Sequence, residues 1–183
     1  MIAPKLKSKT IYLRLVKEDD AQFICEIRNN ELLNSFISSS TNDETLQKKW
    51  IRTYKTRESS GSEYYFIICR NSDDLPIGTV RLYDFKDNPN SFCWGSWILN
   101  ENKTNTAALE SALLVYQFGF DILGFKQSHY DVRKDNEKVH TFHTKMGAMK
   151  INEDKDNIYY IFTKQAHKKN QAKYVKFLEV EKQ

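Results

Sequence analysis

A short polar segment between two apolar elements is the part of this sequence best suited to bind an anion. Residues 100–106 are all polar, follow the strand-like run 92–99 and lead into an apolar stretch that predicts a helix over 107–123. The first turn of a helix has unpartnered backbone N–H groups and a positive dipole end, a geometry that binds phosphate. Lys103 adds a positive charge, and the Thr106 hydroxyl can donate to a phosphate or cap the helix. An ordinary polar turn before a core helix explains the same residues, and both interpretations stay open.

Hydrophobic periodicity along the rest of the chain predicts a mixed α/β fold. The strand-like segments are 11–16, 64–70, 77–85, 92–99, 127–132, 148–152 and 158–163. The helical segments are 18–28, 44–57, 107–123 and 136–146, with a turn-rich gap at 38–42. Strand–helix–strand steps are usually parallel crossovers, and the hairpins are antiparallel, so we expect a central mixed sheet of about six to seven strands with helices on both faces. Residues 1–183 are expected to form a single domain, with a basic helical tail at 165–183.

Composition limits the function classes. The chain has 183 residues, a formal net charge of +4 and 40% hydrophobic residues, which is typical of a folded domain with a sizeable core. Its three cysteines lack metal-ligand spacing, so we expect no metal site and a reducing, cytoplasmic environment. The mild positive charge suits anionic ligands without requiring nucleic acid. No apolar run is long enough to span a bilayer, so no membrane partner is expected.

The segment from Gly95 to Ala108 carries a family signature. It reads Gly-Ser-Trp-Ile-Leu-Asn-Glu-Asn-Lys-Thr-Asn-Thr-Ala-Ala. Without a gap, it resembles the pattern Gly-Tyr-Trp-Ile-x-Pro-x-x-Arg-Gly-x-Gly-x-Ala of GNAT acetyltransferases, in the branch that includes ribosomal-protein alanine acetyltransferases. Lys103 stands where the family has arginine, whereas Thr104 and Thr106 replace two loop glycines. The predicted order of elements also matches the GNAT fold.

The resemblance implies acetyl-CoA as the cosubstrate. In the family this loop cradles the diphosphate, and the preceding strand holds the pantetheine arm through its main chain. The implied cofactor-binding residues are Trp97, Ile98, Leu99, Lys103, Thr104, Asn105, Thr106, Ala107 and Asn136. Threonine does not adopt positive φ as cheaply as glycine, so we expect this loop to differ in detail from the family's.

A second run, from Asp131 to Gly147, resembles the GNAT pattern of strand, Asn, helix, Tyr, Lys, x, Gly. In many members that tyrosine protonates the departing CoA thiolate, and His143 occupies its place. In one protein-acetylating branch a glutamate before the Asn is the general base, and Asp131 occupies its place. A carboxylate can accept an ammonium proton directly or through water, and an imidazolium can supply a proton near neutral pH. His140 shares the helix face of His143, and the sequence does not tell which ring points at the sheet.

Candidate acceptor-binding residues lie earlier in the chain. Residues 27–32 resemble a Trp-Arg-Asn segment of GNAT enzymes that acetylate amino sugars, with Arg28 and Asn29 matching. Arg28 can make a two-pronged contact to a nucleotide diphosphate or simply complement a helix C-terminus. Tyr83 and Trp94, on central strands, can stack on a sugar or base ring or belong to the core.

The sequence thus predicts an acetyl-CoA-dependent N-acetyltransferase acting on a primary amine by direct attack in a ternary complex. The favoured acceptor is a small molecule, a nucleotide-linked amino sugar of surface-polysaccharide biosynthesis. One alternative is acetylation of protein N-termini, and another is a non-catalytic acyl-CoA-binding module. The basic tail is a weaker argument for RNA binding, because a charge run is usually a solvated face and no aromatic RNA motif accompanies it.

Overall fold

One mixed β-sheet runs through the molecule. The computed structural model describes residues 6–30 and 43–178, and in these ranges the strands lie in the order β1-β2-β3-β4-β5-β6-β8-β7. The strands are β1 (Leu6–Lys7), β2 (Ile11–Leu15), β3 (Tyr64–Arg70), β4 (Pro76–Asp87), β5 (Asn90–Leu99), β6 (Gln127–Arg133), β7 (Met149–Glu153) and β8 (Asn157–Thr163). Neighbours are antiparallel except β5 and β6, which are parallel. The predicted mixed sheet is confirmed with one strand more than expected, because the two-residue β1 is too short to show a periodicity.

Helices flank the sheet close to the predicted positions. They are α1 (Ala21–Asn29), α2 (Glu44–Ser59), α3 (Ala107–Gln117), α4 (Glu137–Met146) and α5 (Lys164–Lys173). A π-helical turn, Phe118–Ile122, extends α3, and a 3-10 turn, Val175–Phe177, follows α5. The predicted gap at 38–42 and tail residues 179–183 lie outside the described residues. Within the described ranges, no helix is both long and apolar enough to cross a membrane.

Strand β3 separates two hydrophobic cores. Each residue from Tyr64 to Cys69 is at most 3% exposed, which explains why β3 reads as a continuous apolar run rather than an alternation. Tyr64, Phe66 and Ile68 pack into the core beneath α3. Alternate residues pack against α1 and α2 in the second core, which comprises Val16, Ala21, Ile24, Ile51, Tyr54, Tyr65, Ile67 and Cys69. The sheet is therefore anchored on both faces through its third strand.

The parallel pair positions the segment that sequence analysis favours for anion binding. Joining parallel strands requires a crossover, and here α3 is that connection, so its first turn lies beside the end of β5. Helix α4 lies on the same face as α3, because Tyr116 of α3 and His143 of α4 both contact the ring of Trp94. Helices α1 and α2 pack on the opposite face.

Candidate active site

Strands β5 and β6 separate soon after they pair, and this opens a cleft between them. Their register is limited to Ser91 opposite Gln127 and Phe92 opposite Ser128. Beyond these pairs β5 stays with β4 and passes through a bulge, where Ser96 has a φ of 47°. The cleft, called the wedge below, has a volume of about 540 Å³. Its lining is Trp94, Gly95, Trp97, Leu99, Lys103, Ala108, Tyr130, Asp131, Val132, Arg133, Asn136, Lys138, Val139 and His143.

The wedge brings together residues from both predicted motifs. Side chains expected to bind acetyl-CoA or to move protons meet there, namely Trp97, Leu99, Lys103, Asp131, Asn136 and His143. Ile98 instead is buried, at 3% exposure. The structure also places Trp94 in the wedge rather than with the other predicted substrate residues, because it points to the α3 and α4 face. Trp94 was a candidate for acceptor stacking, and strand alternation alone does not tell on which face of the sheet its ring lies.

The threonines of the loop point inward, toward a buried glutamate. Thr106 is at the N-cap position of α3, yet its hydroxyl donates to Glu110 and accepts from no helix N–H, so the expected capping bond is absent. Glu110 has no exposed surface and also accepts from Ser8 Oγ at 2.6 Å, from the Thr10 amide at 2.8 Å and from Thr10 Oγ1 at 2.7 Å. Burial by itself raises the pKa of Glu110, but these hydrogen bonds outweigh it, and the pKa lies below its ordinary value. Thr104 joins the network through Thr10 at 2.7 Å.

The inward threonines leave the start of α3 open. No side chain caps this helix, so its first-turn N–H groups are left without a side-chain acceptor. No residue of the loop 100–106 has a positive φ, which explains how threonine replaces glycine here. Lys103 is exposed at the edge of the wedge, and Asn105 is exposed in the loop. This combination fits the diphosphate of a CoA thioester.

His143 enters the wedge from α4 within a cage of aromatic rings. Its ring centroid lies 4.4 Å from that of Tyr130 and 5.5 Å from that of Trp94. Only 4% of the residue is exposed, and its Nδ1 is buried without a hydrogen-bond partner. Burial lowers the pKa of His143 to about 3, with a smaller contribution from His140. The imidazole is therefore neutral at pH 7, and the expected imidazolium is wrong for this environment.

The neighbouring histidine has a structural partner. His140 Nδ1 lies 2.8 Å from the Tyr160 hydroxyl, and its Nε2 lies 2.9 Å from the carbonyl oxygen of Arg133. The structure thus answers the question left open by the sequence, since His143 and not His140 lines the wedge.

Sequence reasoning missed Tyr130, whose pKa is raised well above its ordinary value by burial and which therefore stays protonated. The available sequence signal was the alternation of residues along β6, which places Tyr130 on the same face of the strand as Ser128 and Val132.

Asp131 and Asn136 occupy different parts of the wedge. Asp131 is exposed on β6, and it lines both the wedge and a second cleft on the face of α1 and α2. Asn136 is the N-cap of α4, and its side chain accepts from the Val139 amide at 3.4 Å. Asn136 therefore has a capping role that fixes the start of α4, in addition to its place in the wedge.

The opposite face of the sheet carries a cleft with an arginine at each side. This arginine cleft has a volume of about 350 Å³ and is lined by Ile24, Arg28, Leu46, Gln47, Trp50, Tyr65, Arg81 and Ser96. The Arg81 guanidinium lies 5.5 Å from the ring centroid of Trp50 and 4.9 Å from that of Tyr83. Buried Glu63 accepts hydrogen bonds from Arg81 and from Arg57. One carboxylate therefore pairs with two guanidinium groups, and the net local charge stays positive.

Of the predicted pair at the end of α1, only Arg28 lines this cleft. The Asn29 side chain instead donates to the Cys25 carbonyl oxygen at 2.8 Å, within α1 itself. Sequence reasoning missed Trp50 and Arg81. Neither residue was among the candidate acceptor-binding residues, and Arg81 carries no motif signal in a strand.

Next to the arginine cleft lies a cleft rich in tyrosine. This tyrosine cleft has a volume of about 380 Å³ and is lined by Tyr83, Asp84, Lys86, Pro89, Ser91, Cys93, His129, Tyr130, Asp131, Ile151, Tyr159 and Tyr160. Tyr83 connects the two clefts through its contact with Arg81. Cys93 is 6% exposed, and burial raises the pKa of its thiol to about 11. Two solvent-facing clefts therefore lie across the sheet from α3 and α4, and Asp131 stands between the wedge and the tyrosine cleft.

Comparison with known proteins assigns this arrangement to a family. The family model described as an acetyltransferase (GNAT) domain matches residues 10–149. The chain belongs to the GNAT acetyltransferase family. The protein is accordingly an acetyltransferase. None of the curated proteins compared with the sequence matches it.

Solved structures of GNAT enzymes are similar to this chain over most of its length. Apo FdhC, described as a nucleotide-linked sugar GNAT, is 62% identical, with a TM-score of 0.92 over 97% of this chain and 100% of that chain. The ribosomal-protein-S5-alanine acetyltransferase of Vibrio fischeri is 16% identical, with a TM-score of 0.77 over 87% and 96% of the two chains. Spermidine N-acetyltransferase SpeG of Vibrio cholerae, as an N152L mutant, is 15% identical, with a TM-score of 0.70 over 86% and 95%. The last two likenesses show the GNAT fold alone.

The donor set for metal binding is sparse in the described part of the chain. Residues 6–30 and 43–178 contain no group of three or more His, Cys, Asp or Glu side chains arranged to hold a metal ion. The site therefore consists of backbone N–H groups, aromatic rings and isolated titratable side chains.

The open start of α3 predicts that Lys103 contributes to acetyl-CoA affinity. Lys103→Glu should weaken binding about 10-fold or more, because a charge-assisted contact to the diphosphate becomes a repulsion. Isothermal titration calorimetry measures this, and Lys155→Glu, in the turn between β7 and β8, is the matched charge-reversal control. Unchanged affinity in a folded Lys103→Glu variant would contradict the loop assignment. Position 106 is a poorer probe, because a carboxylate there would meet Glu110 first.

The neutral ring of His143 predicts a hydrogen bond to the leaving thiolate in place of a full proton transfer. His143→Phe, which keeps an aromatic ring in the cage, should lower kcat about 10- to 100-fold with little change in acetyl-CoA affinity. Because the pKa is about 3, the ring is neutral from pH 5 to pH 9, so wild type and variant should have parallel kcat profiles across that range.

Two results would contradict the His143 prediction. One is a wild-type profile with an ionisation near pH 6.5 that disappears in the variant, since that would require an imidazolium. The other is an unchanged kcat in His143→Phe together with a large loss in Tyr130→Phe, which would give the role to the phenol.

Proposed function

We propose that this protein transfers the acetyl group of acetyl-CoA to the amino group of a nucleotide-linked amino sugar, a step suited to surface-polysaccharide biosynthesis. The observation that carries the proposal is the 62% identity, over the full length of that chain, with a nucleotide-linked sugar GNAT. The match covers 97% of this chain, so it includes both faces of the sheet. The clefts opposite α3 and α4 offer an independent argument from chemistry.

The arginine cleft suits the nucleotide part of such an acceptor. Arg28 and Arg81 both line it, and a guanidinium binds a diphosphate through paired N–H donors. The Trp50 ring lies against the Arg81 guanidinium and offers an aromatic face to a nucleobase. Glu63 fixes the direction of Arg81, so the guanidinium is oriented before a ligand arrives.

Residues of the wedge and loop hold the donor. Acetyl-CoA, when bound, supplies an acyl group activated as a thioester. The first turn of α3 and Lys103 would hold its diphosphate, and the bulged main chain of β5 would hold the pantetheine arm. Trp97 is itself fixed, because its Nε1 donates to Ser111 Oγ at 3.0 Å.

Two residues handle protons and charge in this proposal. Asp131, between the wedge and the tyrosine cleft, would accept the ammonium proton directly or through water. His143 would donate a hydrogen bond to the sulfur as it leaves. A thiol pKa of about 8.5 makes the thiolate a fair leaving group, so a hydrogen bond is sufficient assistance. The amine attacks the thioester directly in a ternary complex.

An acceptor panel tests the proposed function. CoA release is followed with a thiol reagent while the enzyme is supplied with acetyl-CoA and, in separate reactions, nucleotide-linked amino sugars, the free amino sugars and peptides with ribosomal-protein N-termini. We expect turnover with a nucleotide-linked amino sugar and a much higher KM for its free sugar, since the arginines then lack a diphosphate. Rapid acetylation of peptides without turnover of any nucleotide-linked sugar would overturn the proposal in favour of a protein acceptor. No turnover at all, with acetyl-CoA still bound, would support a non-catalytic acyl-CoA-binding module.

Asp131→Asn tests the proposed base. The variant should lose about 100-fold in kcat/KM for the acceptor while it binds acetyl-CoA as the wild type does. The loss should shrink as pH rises, because more of the amine is then already deprotonated. Asp135→Asn, an exposed neighbour in the turn after β6, is the control. Full activity of a folded Asp131→Asn variant would remove the base from this position and leave the acceptor class standing.

A further inference from the structure

Asp84 is held in an unusual conformation at the floor of the tyrosine cleft. The β4–β5 register passes from Tyr83 opposite Cys93 to Lys86 opposite Ser91, so β4 carries one extra residue there. Asp84 has a φ of 50°, in the left-handed region that is unfavourable for a non-glycine residue. The bulge turns its carboxylate across β5, and Oδ2 lies 2.9 Å from His129 Nε2 on β6.

A chain of hydrogen bonds fixes that carboxylate from below. His129 Nδ1 lies 2.6 Å from Ser91 Oγ, and Ser91 is 1% exposed. An ionised carboxylate only accepts, so His129 Nε2 carries a proton, and in the neutral ring Nδ1 accepts from the Ser91 hydroxyl. Both ring nitrogens are therefore occupied, and His129 has none left for a ligand. Asp84 is the solvent-facing end of this series of hydrogen bonds, because 53% of its side chain is exposed.

The carboxylate keeps one oxygen for a ligand. Among the described residues, both contacts of Asp84, from His129 and from Lys86 Nζ at 3.2 Å, reach Oδ2. The hydrogen bond from His129 is the main cause that holds the pKa of Asp84 below its ordinary value, with Lys86 adding to it. Asp84 lines a cleft whose walls include Tyr83 and Tyr159, so Oδ1 is an anionic acceptor available to a ligand bound there.

This cleft lies at the foot of the wedge. The parallel pairing of β5 and β6 ends at Phe92 and Ser128, directly beside Ser91 and His129. Tyr130 and Asp131 line both the wedge and the tyrosine cleft. A ring bound against Asp84 would therefore lie beside the proposed base, with its nucleotide extending past Tyr83 into the arginine cleft.

We propose that Asp84 binds ring hydroxyls of the acceptor sugar, and that His129 and Ser91 are positioning residues that hold Asp84 for this contact. Aromatic faces and a fixed carboxylate are the groups that bind the C–H faces and hydroxyls of a pyranose. The inference rests on the proposed function and deepens it, because it assigns the sugar to the tyrosine cleft and the nucleotide to the arginine cleft.

Steady-state kinetics with a nucleotide-linked amino sugar test the assignment. Asp84→Asn should raise the acceptor KM about 10- to 100-fold, with kcat and acetyl-CoA affinity nearly unchanged. Asp87→Asn, an exposed aspartate at the end of the same strand, is the matched control and should behave as wild type. An acceptor analogue with a ring hydroxyl replaced by hydrogen should show the same rise in wild type, and the two losses should not add.

The positioning residues need a different readout. His129→Ala should raise the acceptor KM, and His129→Gln, whose side-chain amide can still donate toward Asp84, should recover part of the loss. Ser91→Ala should have a smaller effect of the same kind. A merely structural role would instead change acetyl-CoA affinity and thermal stability together, without recovery in the glutamine variant.

The outcomes separate this inference from the proposed function. A folded Asp84→Asn variant with the wild-type acceptor KM would overturn the inference and leave the proposed acceptor class intact. Additive losses for the variant and the deoxy analogue would overturn it as well. If the wild type acetylates peptides and no nucleotide-linked amino sugar, both the proposed function and this inference fall.

Discussion

The structure depends on the break in pairing between β5 and β6. These strands share two residue pairs. Beyond those pairs, β5 stays paired with β4 as far as Leu99, and β6 pairs with β8 along all seven of its residues. Backbone groups left unpaired in a sheet interior are costly, so a gap of this kind persists only because both of its edges are held from outside. The rest of the site follows from the gap. Helix α3 begins at the end of the gap, α4 places His143 in it, and the arginine and tyrosine clefts lie across the sheet from it.

A buried carboxylate, which has no cationic partner among the described residues, organises the loop in which threonines replace the glycines of the family. Glu110 is fully buried, and four donors from Ser8, Thr10 and Thr106 satisfy it. These bonds offset the cost of burying the charge, which is why its pKa is lowered in spite of burial. They also draw the threonine side chains inward. The main chain at the start of α3 is left exposed, as a glycine-rich loop would leave it, and the same network attaches the loop to the turn between β1 and β2.

Sequence reasoning recovered the parts of this protein that depend on local pattern. Seven of the strands and the helices follow hydrophobic periods, and Trp97, within the ungapped signature, lines the wedge. Spacing from Asn136 selected His143, but the charge of its ring depends on Trp94 and Tyr130, which come from other strands. Hydrophobic periodicity carries no information about that environment, so the expectation of a charged His143 ring was wrong.

The acceptor face was the least predictable part. Asp84, Ser91 and His129 belong to three different strands, and a one-residue bulge is what brings them into contact. A bulge leaves no reliable sequence pattern, since aspartate at a positive φ is marked by no neighbouring residue type. Arg81 on β4 and Trp50 on α2 likewise meet only in the folded protein, and Glu63, the partner of Arg81, precedes β3.

The environment of Cys93 has a consequence for chemical selectivity. A thioester can acylate any nearby thiolate, and this thiol lies on β5 just beyond the last residue that pairs with β6. With a pKa of about 11, only roughly one thiol in ten thousand is ionised at pH 7. Because the thiolate is the reactive form, this buried thiol is a poor nucleophile, and in the proposed reaction it would compete little with the acceptor amine for the acyl group.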